Sequence, residues 1–148
     1  MSTWSTISED DVRDYLAADQ LSALESAALD DDQDDPLPAI IQDVAQRIRA
    51  EVRANASNVV DSTDYSVPPE LRGVAMALVV EAAQSRLPGL EMTDDQIRLA
   101  NAARALLKRV ATGEIPIVAG EEAAGTSPRI VVVKRRKNSV TGRSLAGM

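Results

Sequence analysis

The segment from residue 71 to residue 83 constrains the fold of this chain more than any other. It follows a diproline, and ten of its 13 residues are alanine, aliphatic residues or methionine, which surround a helix axis on nearly all sides. A helix that is apolar all round must be buried, either in its own domain or against another subunit. We therefore expect a buried helix from about residue 68 to residue 86, ended by the Pro-Gly pair that follows Leu87.

Two amphipathic helices are predicted beside it, at residues 38–55 and 93–112. Arg49 and the other polar residues of the first helix fall largely on the face opposite its apolar stripe. The second helix opens with a capping box formed by Thr93 and Gln96. The apolar stripes are Ile40, Ile41, Val44, Ala45, Ile48 and Val52 in the first helix, and Ile97, Leu99, Ala100, Ala103, Leu106, Leu107 and Val110 in the second.

The N-terminal part adds one or two short helices. Ser8 is a suitable N-cap for a first helix, and acidic residues follow it where the helix dipole favours them. A second short helix fits residues 21–29, and the acidic run of residues 30–35 before Pro36 breaks the chain. The spacing of that run resembles a calcium loop, but Asp35 and Ile41 stand where glycine and glutamate are required.

These elements predict an all-α fold, a four- to five-helix bundle with an extended C-terminal arm that contains a short β-prone segment. With 148 residues, of which 45% are apolar, the chain is long enough for one compact domain. It has one Trp, two Tyr and no Phe, and a core of small aliphatic side chains suits close helix packing. We predict a helical domain at residues 1–118 and a basic arm at residues 119–148.

Charge is divided unevenly between these two parts. Residues 1–118 carry 21 acidic and 10 basic side chains, a net charge of −11, whereas residues 119–148 carry 2 acidic and 6 basic side chains, a net charge of +4. An acidic body with a basic tail is typical of an interaction arm. Within the arm, residues 130–133 have strong β propensity and need a partner strand.

The residue types point away from catalysis. The chain has no cysteine and no histidine, which removes thiolate metal sites and every nucleophile–base pair built on histidine. No glycine-rich phosphate loop is present. We therefore predict no catalytic residue, no cofactor and no metal site. The N-terminal residues show no signal peptide, and no apolar run is long enough for a membrane span, so we expect no membrane partner.

The basic cluster of residues 134–137 permits three interpretations. It could contact phosphates, where affinity comes from charge with little sequence information. It could bind an acidic protein surface, or it could keep the preceding β-prone segment soluble. Base stacking on single strands is disfavoured because the chain has so few aromatic residues.

The order of the helices resembles a known family. The matching features lie at residues 5–12, 38–48, 67–75 and 111–115, which are patterns of helix starts and ends within about residues 5–118. They are similar to the small α-helical head–tail connector proteins of long-tailed phages and Mu-like prophages, also called head-completion or neck adaptor proteins. This resemblance implies a structural virion protein of the neck that is made in the host cytoplasm.

The resemblance also implies partners and contact residues. Such adaptors form a ring, commonly twelve-fold, beneath the portal protein, and they extend the DNA channel and receive the next neck or tail-completion protein. Packaged DNA passes through without sequence-specific binding. The predicted partner-docking residues are Arg129, Ile130, Val131, Val132, Val133, Lys134, Arg135, Arg136 and Lys137, and the predicted subunit-packing residues are Leu71, Val74, Leu78 and Val79.

Two other functions fit the same residues without a ring. A helical regulator would bind nucleic acid through its basic tail, with an affinity that falls steeply with salt. A small protein-interaction module would be a monomer or a dimer at every concentration.

Overall fold

The computed structural model of the chain describes residues 2–28, 35–87 and 90–121. This part of the chain is mostly helical and contains no strand, which confirms the all-α class. An isolated antiparallel bridge joins Ser5 and Val67. The helices are α1 (Glu9–Tyr15), α2 (Ala18–Ala28), α3 (Leu37–Ala54), α4 (Arg72–Arg86) and α5 (Asp94–Ala111), with a 3₁₀ helix at Pro69–Leu71 before α4.

Side-chain caps fix the starts of α1 and α5. The Ser8 hydroxyl accepts from the Asp11 backbone N–H, and the Asp11 carboxylate accepts from the Ser8 N–H. Thr93 and Gln96 form the same reciprocal pair at α5. Each box satisfies two donors that have no partner inside the helix, so both helices start where the sequence indicates.

Helix α2 begins three residues earlier than predicted because of a buried glutamine. The Gln20 side chain is 3% exposed, and its carbonyl accepts from the Ala17 backbone N–H just before the helix. Its amide nitrogen donates to the Glu91 carbonyl and to Gln96 at the start of α5. Gln20 therefore caps its own helix while it fastens that helix to a distant one.

The core lies where α3, α4 and α5 pack on one another, with α1 against α3 and α4. Helix α4 occupies the centre, as its apolar sequence predicts, and α3 contributes a fully buried stripe that includes Ile40, Ile48 and Val52. Leu71, Val74, Leu78 and Val79 are all buried within the chain itself. Contacts within a single chain therefore bury most of the apolar surface of α4.

Helix α5 departs from its predicted apolar face. Ala100, Ala103, Leu107 and Val110 are buried, but Ile97 and Leu99 are 45% and 50% exposed. The neighbours α3 and α4 cover one side of α5, whereas the apolar stripe in its sequence is wider than that side. Part of the stripe therefore stays on the surface.

Candidate interaction site

The predicted docking residues, from Arg129 to Lys137, lie outside the described residues, and so do residues 30–34 of the acidic run. The described chain does reach Glu121, beyond the predicted start of the arm at residue 119. Residues 118–121, which we call the arm root, lie against the helical body. Their contacts define the point from which the rest of the arm leaves.

Val118 at the beginning of the arm root is held from two sides. The indole N–H of the buried Trp4 donates to the Val118 carbonyl at 2.9 Å. The Val118 backbone N–H donates to the Glu70 carboxylate at 3.0 Å, just before α4. The N-terminal segment and the start of α4 therefore both fix this residue.

The end of the arm root pairs with the loop of residues 59–62. The Gly120 N–H donates to the Val59 carbonyl at 2.8 Å, and the Ser62 N–H donates to the Glu121 carbonyl at 2.8 Å. The Glu121 N–H donates to the Asp61 carboxylate at 2.7 Å. Three main-chain donors are thus satisfied across a single contact between two segments that are distant in sequence.

Gly120 is required by the closeness of this contact. A Cβ atom at residue 120 would lie 2.2 Å from the backbone nitrogen of Asp61 and 2.5 Å from its Cα. Backbone atoms cannot give way as the end of a flexible side chain can. Glycine lets the two backbones approach, which is one of the main uses of this residue in proteins.

The loop that receives the arm root is built around the buried guanidinium of Arg49. This group is 5% exposed and donates to the carbonyls of Asp61 at 2.7 Å, Thr63 at 2.9 Å and Ser66 at 3.0 Å. It also lies 5.9 Å from the centre of the Trp4 ring, within the range of a cation–π contact. Burial, and then the nearby charge of Arg53, lower the pKa of Arg49, but a guanidinium remains protonated in proteins.

Sequence reasoning missed this role of Arg49. The helical period assigns it to the polar face of α3, yet the loop folds over that face and encloses it. Only the tertiary contact distinguishes Arg49 from the exposed Arg53 one turn later.

Asp61 is a buried carboxylate, 3% exposed, that is satisfied by donors. It accepts from the Thr63 N–H at 3.0 Å and the Ser66 hydroxyl at 3.1 Å, in addition to Glu121. Burial by itself raises the pKa of Asp61, but hydrogen bonds from Ser2, Glu121 and Thr63 outweigh burial and hold the pKa far below its usual range. Asp61 is therefore charged at neutral pH, and its hydrogen bonds join the loop to the arm root.

Tyr65 in the same loop has a left-handed backbone, with φ of 63°. This conformation is costly for a bulky residue, and the Arg49 bonds to Thr63 and Ser66 on either side hold it in place. The ring is 36% exposed and lines a shallow cavity of about 310 Å³, together with Ile7 and Ile41. The loop therefore displays an aromatic side chain at the wall of this cavity.

A second depression, which we call the α4–α5 groove, lies between α4 and α5. It has a volume of about 290 Å³. Almost all of its lining is apolar, because α4 and α5 contribute small side chains there and α1 contributes Tyr15 at the rim. The lining includes Tyr15, Gly73, Val74, Ala77, Leu99 and Leu106. Of the four predicted subunit-packing residues, Val74 is the one that reaches this groove.

The described residues hold no group of three or more acidic side chains placed to bind a metal ion. Nor does any described helix combine the length and apolarity that crossing a membrane requires. The structure brings together the arm root, the loop around Arg49 and Asp61, and the N-terminal segment. What these features share is a set of backbone and side-chain hydrogen bonds between segments that are distant in sequence.

Comparison with known proteins yields no match: no family model, no curated protein and no solved structure is similar to this chain. The family resemblance of the helix starts and ends therefore stays a prediction.

Proposed function

We propose that this chain is a non-enzymatic structural virion protein, a head–tail adaptor that forms a ring under the portal protein. The observation that carries the proposal is the arm root, which attaches a basic arm to an acidic body at one fixed point. The described residues carry 18 acidic and 10 basic side chains, a net charge of −8, and all six basic residues of the arm follow Glu121.

A fixed exit point suits an arm that docks on a partner. Binding to a partner costs conformational entropy for each residue that becomes ordered. Residues 118–121 are already held on the body, so they add little to that cost. Residues 129–137 would then add a strand to an exposed sheet edge on the partner, with main-chain bonds giving affinity and the basic cluster giving electrostatic attraction.

The acidic body suits a channel wall. Like charges repel, so an acidic surface around the channel would let packaged DNA slide without binding its phosphates. In this proposal the body is a four- to five-helix bundle, the arm is extended, and its β-prone segment becomes ordered on the portal. The next neck or tail-completion protein binds the other side of the ring, which is twelve-fold by resemblance.

Electron microscopy of the chain mixed with its candidate portal protein tests the proposal. Two variants sharpen it: a truncation after Glu121, and a full-length chain in which Lys134, Arg135, Arg136 and Lys137 are changed to Gln. We expect a ring that caps the portal with the intact chain and no ring with the truncated chain. The neutralised chain should bind with reduced affinity at physiological salt, because its strand remains while its charge is lost.

Other results separate the proposal from its rivals. A ring that survives truncation retains the adaptor and removes the arm from portal docking. Absence of any association with the portal contradicts the adaptor. In that case, binding of duplex DNA that falls steeply with salt, and that the four Gln substitutions abolish, would favour the nucleic-acid regulator.

A further inference from the structure

The α4–α5 groove is an apolar surface that the described helices leave open. Leu99 on its wall is 50% exposed, and Tyr15 at its rim is 38% exposed. The apolar wall continues past Leu99 and Ala102 into a second depression beside Asp95 and Arg98. Contiguous exposed apolar surface of this kind marks an interaction site, because covering it is favourable at about 25 cal/mol per Å².

We propose that residues 130–133 of the same chain dock in this groove. They form the sequence Ile-Val-Val-Val, the longest aliphatic run beyond the arm root. Alternate side chains of an extended segment point the same way, so two of the four can enter the groove together. Small residues on the walls, Gly73 and Ala77 among them, leave room for β-branched side chains.

The arm root places this segment within reach. Glu70, which holds Val118, precedes Gly73 and Val74 of the groove wall by three and four residues, so the arm root lies near the end of α4 that contributes these two residues. Four residues span at most about 13–14 Å, so the Cα atom of Val74 lies no further than that from the Cα atom of Glu70. Residues 122–129 form a tether that spans at most about 26–29 Å when extended, about twice that distance.

Charge on the neighbouring helix fits the residues that follow the segment. Helix α1 has four acidic residues and one basic residue, and it ends at Tyr15 on the groove rim. Asp14 beside that tyrosine is exposed and makes no ion pair within the described chain. The four basic residues 134–137 would therefore leave the groove beside an acidic helix.

Docking within one chain has an advantage over docking between copies. A short tether gives a bound segment an effective concentration in the millimolar range, far above the micromolar concentration of a second copy. The inference does not require the adaptor function. If that function holds, a partner that captures the arm also uncovers the groove.

Disulfide trapping tests the contact, and the absence of native cysteine makes the experiment clean. The double variant Leu99→Cys/Val132→Cys is oxidised with glutathione disulfide at low micromolar concentration, without any partner. We expect a monomeric product with an intramolecular bond, formed at least fivefold faster than in the matched control Arg53→Cys/Val132→Cys. Arg53 is exposed on α3, outside the groove lining.

Equal rates in the two variants, or a disulfide-linked dimer as the main product, would overturn the proposal. A second measurement does not depend on disulfide geometry. The thiol of the single variant Leu99→Cys should react with a maleimide at least fivefold faster after truncation beyond Glu121, because the segment no longer covers it. An unchanged rate in the folded, truncated protein contradicts docking, whatever the portal experiment gives.

Discussion

At the scale of single residues, Arg49 is the side chain on which the receiving loop depends most. Its replacement by Met keeps the aliphatic stem but leaves three loop carbonyls without their donor. We expect Arg49→Met to lower the free energy of unfolding by about 2–4 kcal/mol, because buried acceptors lose charged partners. Urea unfolding followed by circular dichroism measures this change.

The matched control is Arg53→Met, one turn later on the exposed side of α3. Surface substitutions of this kind change stability by less than about 0.5 kcal/mol. Equal effects of the two substitutions would contradict the role assigned to Arg49.

Asp61 gives the fold a dependence on pH. Its folded-state pKa lies far below that of an aspartate in the unfolded chain, so its ionised form stabilises the folded chain at neutral pH. That contribution is complete above the unfolded pKa and is lost as the pH falls below about 4 toward the folded pKa. Asp61→Asn should therefore reduce Tm at pH 7 and flatten the decline of Tm between pH 5 and pH 2.

The control for this substitution is Asp19→Asn, at an exposed residue of α2. It should leave the slope of Tm against pH close to that of the unchanged protein. An Asp61→Asn variant with an unaltered slope would show that this carboxylate is not stabilising.

Whether the role of a residue can be predicted from the sequence depends on how far along the chain its hydrogen-bond partner lies. The caps at Ser8 and Thr93 are readable because both partners lie within one helical turn. The roles of Gln20 and Arg49 cannot be predicted in this way, because their hydrogen-bond partners lie 71 and 17 positions away in the sequence, respectively. A polar residue on a helix has the same local pattern whether a loop later covers it or not.

At the scale of elements, replacing either of two glycines by alanine is expected to change stability in opposite directions. A Cβ at Gly120 would collide with the Asp61 backbone, whereas a Cβ at Gly73 in α4 meets no atom within 4 Å. We expect Gly120→Ala to destabilise the fold by about 1–3 kcal/mol through overpacking. We expect Gly73→Ala to stabilise it by roughly 0.5–1 kcal/mol, because alanine costs less entropy in a helix.

Thermal unfolding of the two glycine variants, compared with the unchanged protein, measures both expected changes in stability. If Gly120→Ala were as stable as the unchanged protein, the arm root would have to leave the loop without cost, and its assignment as a fixed exit would fail. Gly73 also lines the α4–α5 groove, so its variant is compared in the chain truncated after Glu121 as well.

The helices themselves were largely predictable, and their exposure was not. Helical periodicity and punctuation by proline and glycine placed α3, α4 and α5 within a few residues of their bounds. The same periodicity predicted Ile97 and Leu99 as core, but their burial depends on how many neighbours α5 has. The sequence of a helix shows how much of its surface is apolar, whereas the packing of neighbouring elements determines how much of that apolar surface is buried.

At the scale of the whole molecule, the body is closed by segments from its two ends. Residue 2 reaches residue 121 through the bond from the Ser2 N–H to the Glu121 carboxylate, across 119 positions. The predicted division of the chain at residue 118 stays a prediction, but Gly120 and Glu121 are fastened to the body. Composition marks the arm by its small residues and cannot reveal that its first residues pair with a distant loop.

Two truncations that differ by four residues test whether the arm root belongs to the folded body. A chain that ends after Glu121 retains the hydrogen bonds that the arm root makes with Trp4, Glu70, Val59, Ser62 and Asp61, whereas a chain that ends after Ile117 loses all of them. The shorter chain leaves the buried Trp4 indole and the Asp61 carboxylate short of partners. At about 1 kcal/mol for each net hydrogen bond, with the added cost of unsatisfied buried groups, we expect it to be less stable by about 3–5 kcal/mol.

Urea unfolding of the two truncated chains side by side measures this difference without any contribution from residues beyond Glu121. The slope of the unfolding free energy against urea should be nearly the same for both, since the helical core is retained and the exposed surface differs little. Equal midpoints would mean that the arm root adds nothing to the fold, and the arm would then have no fixed exit. A difference of the expected size makes residues 118–121 part of the body, so that any partner of the arm meets a chain whose direction is already set.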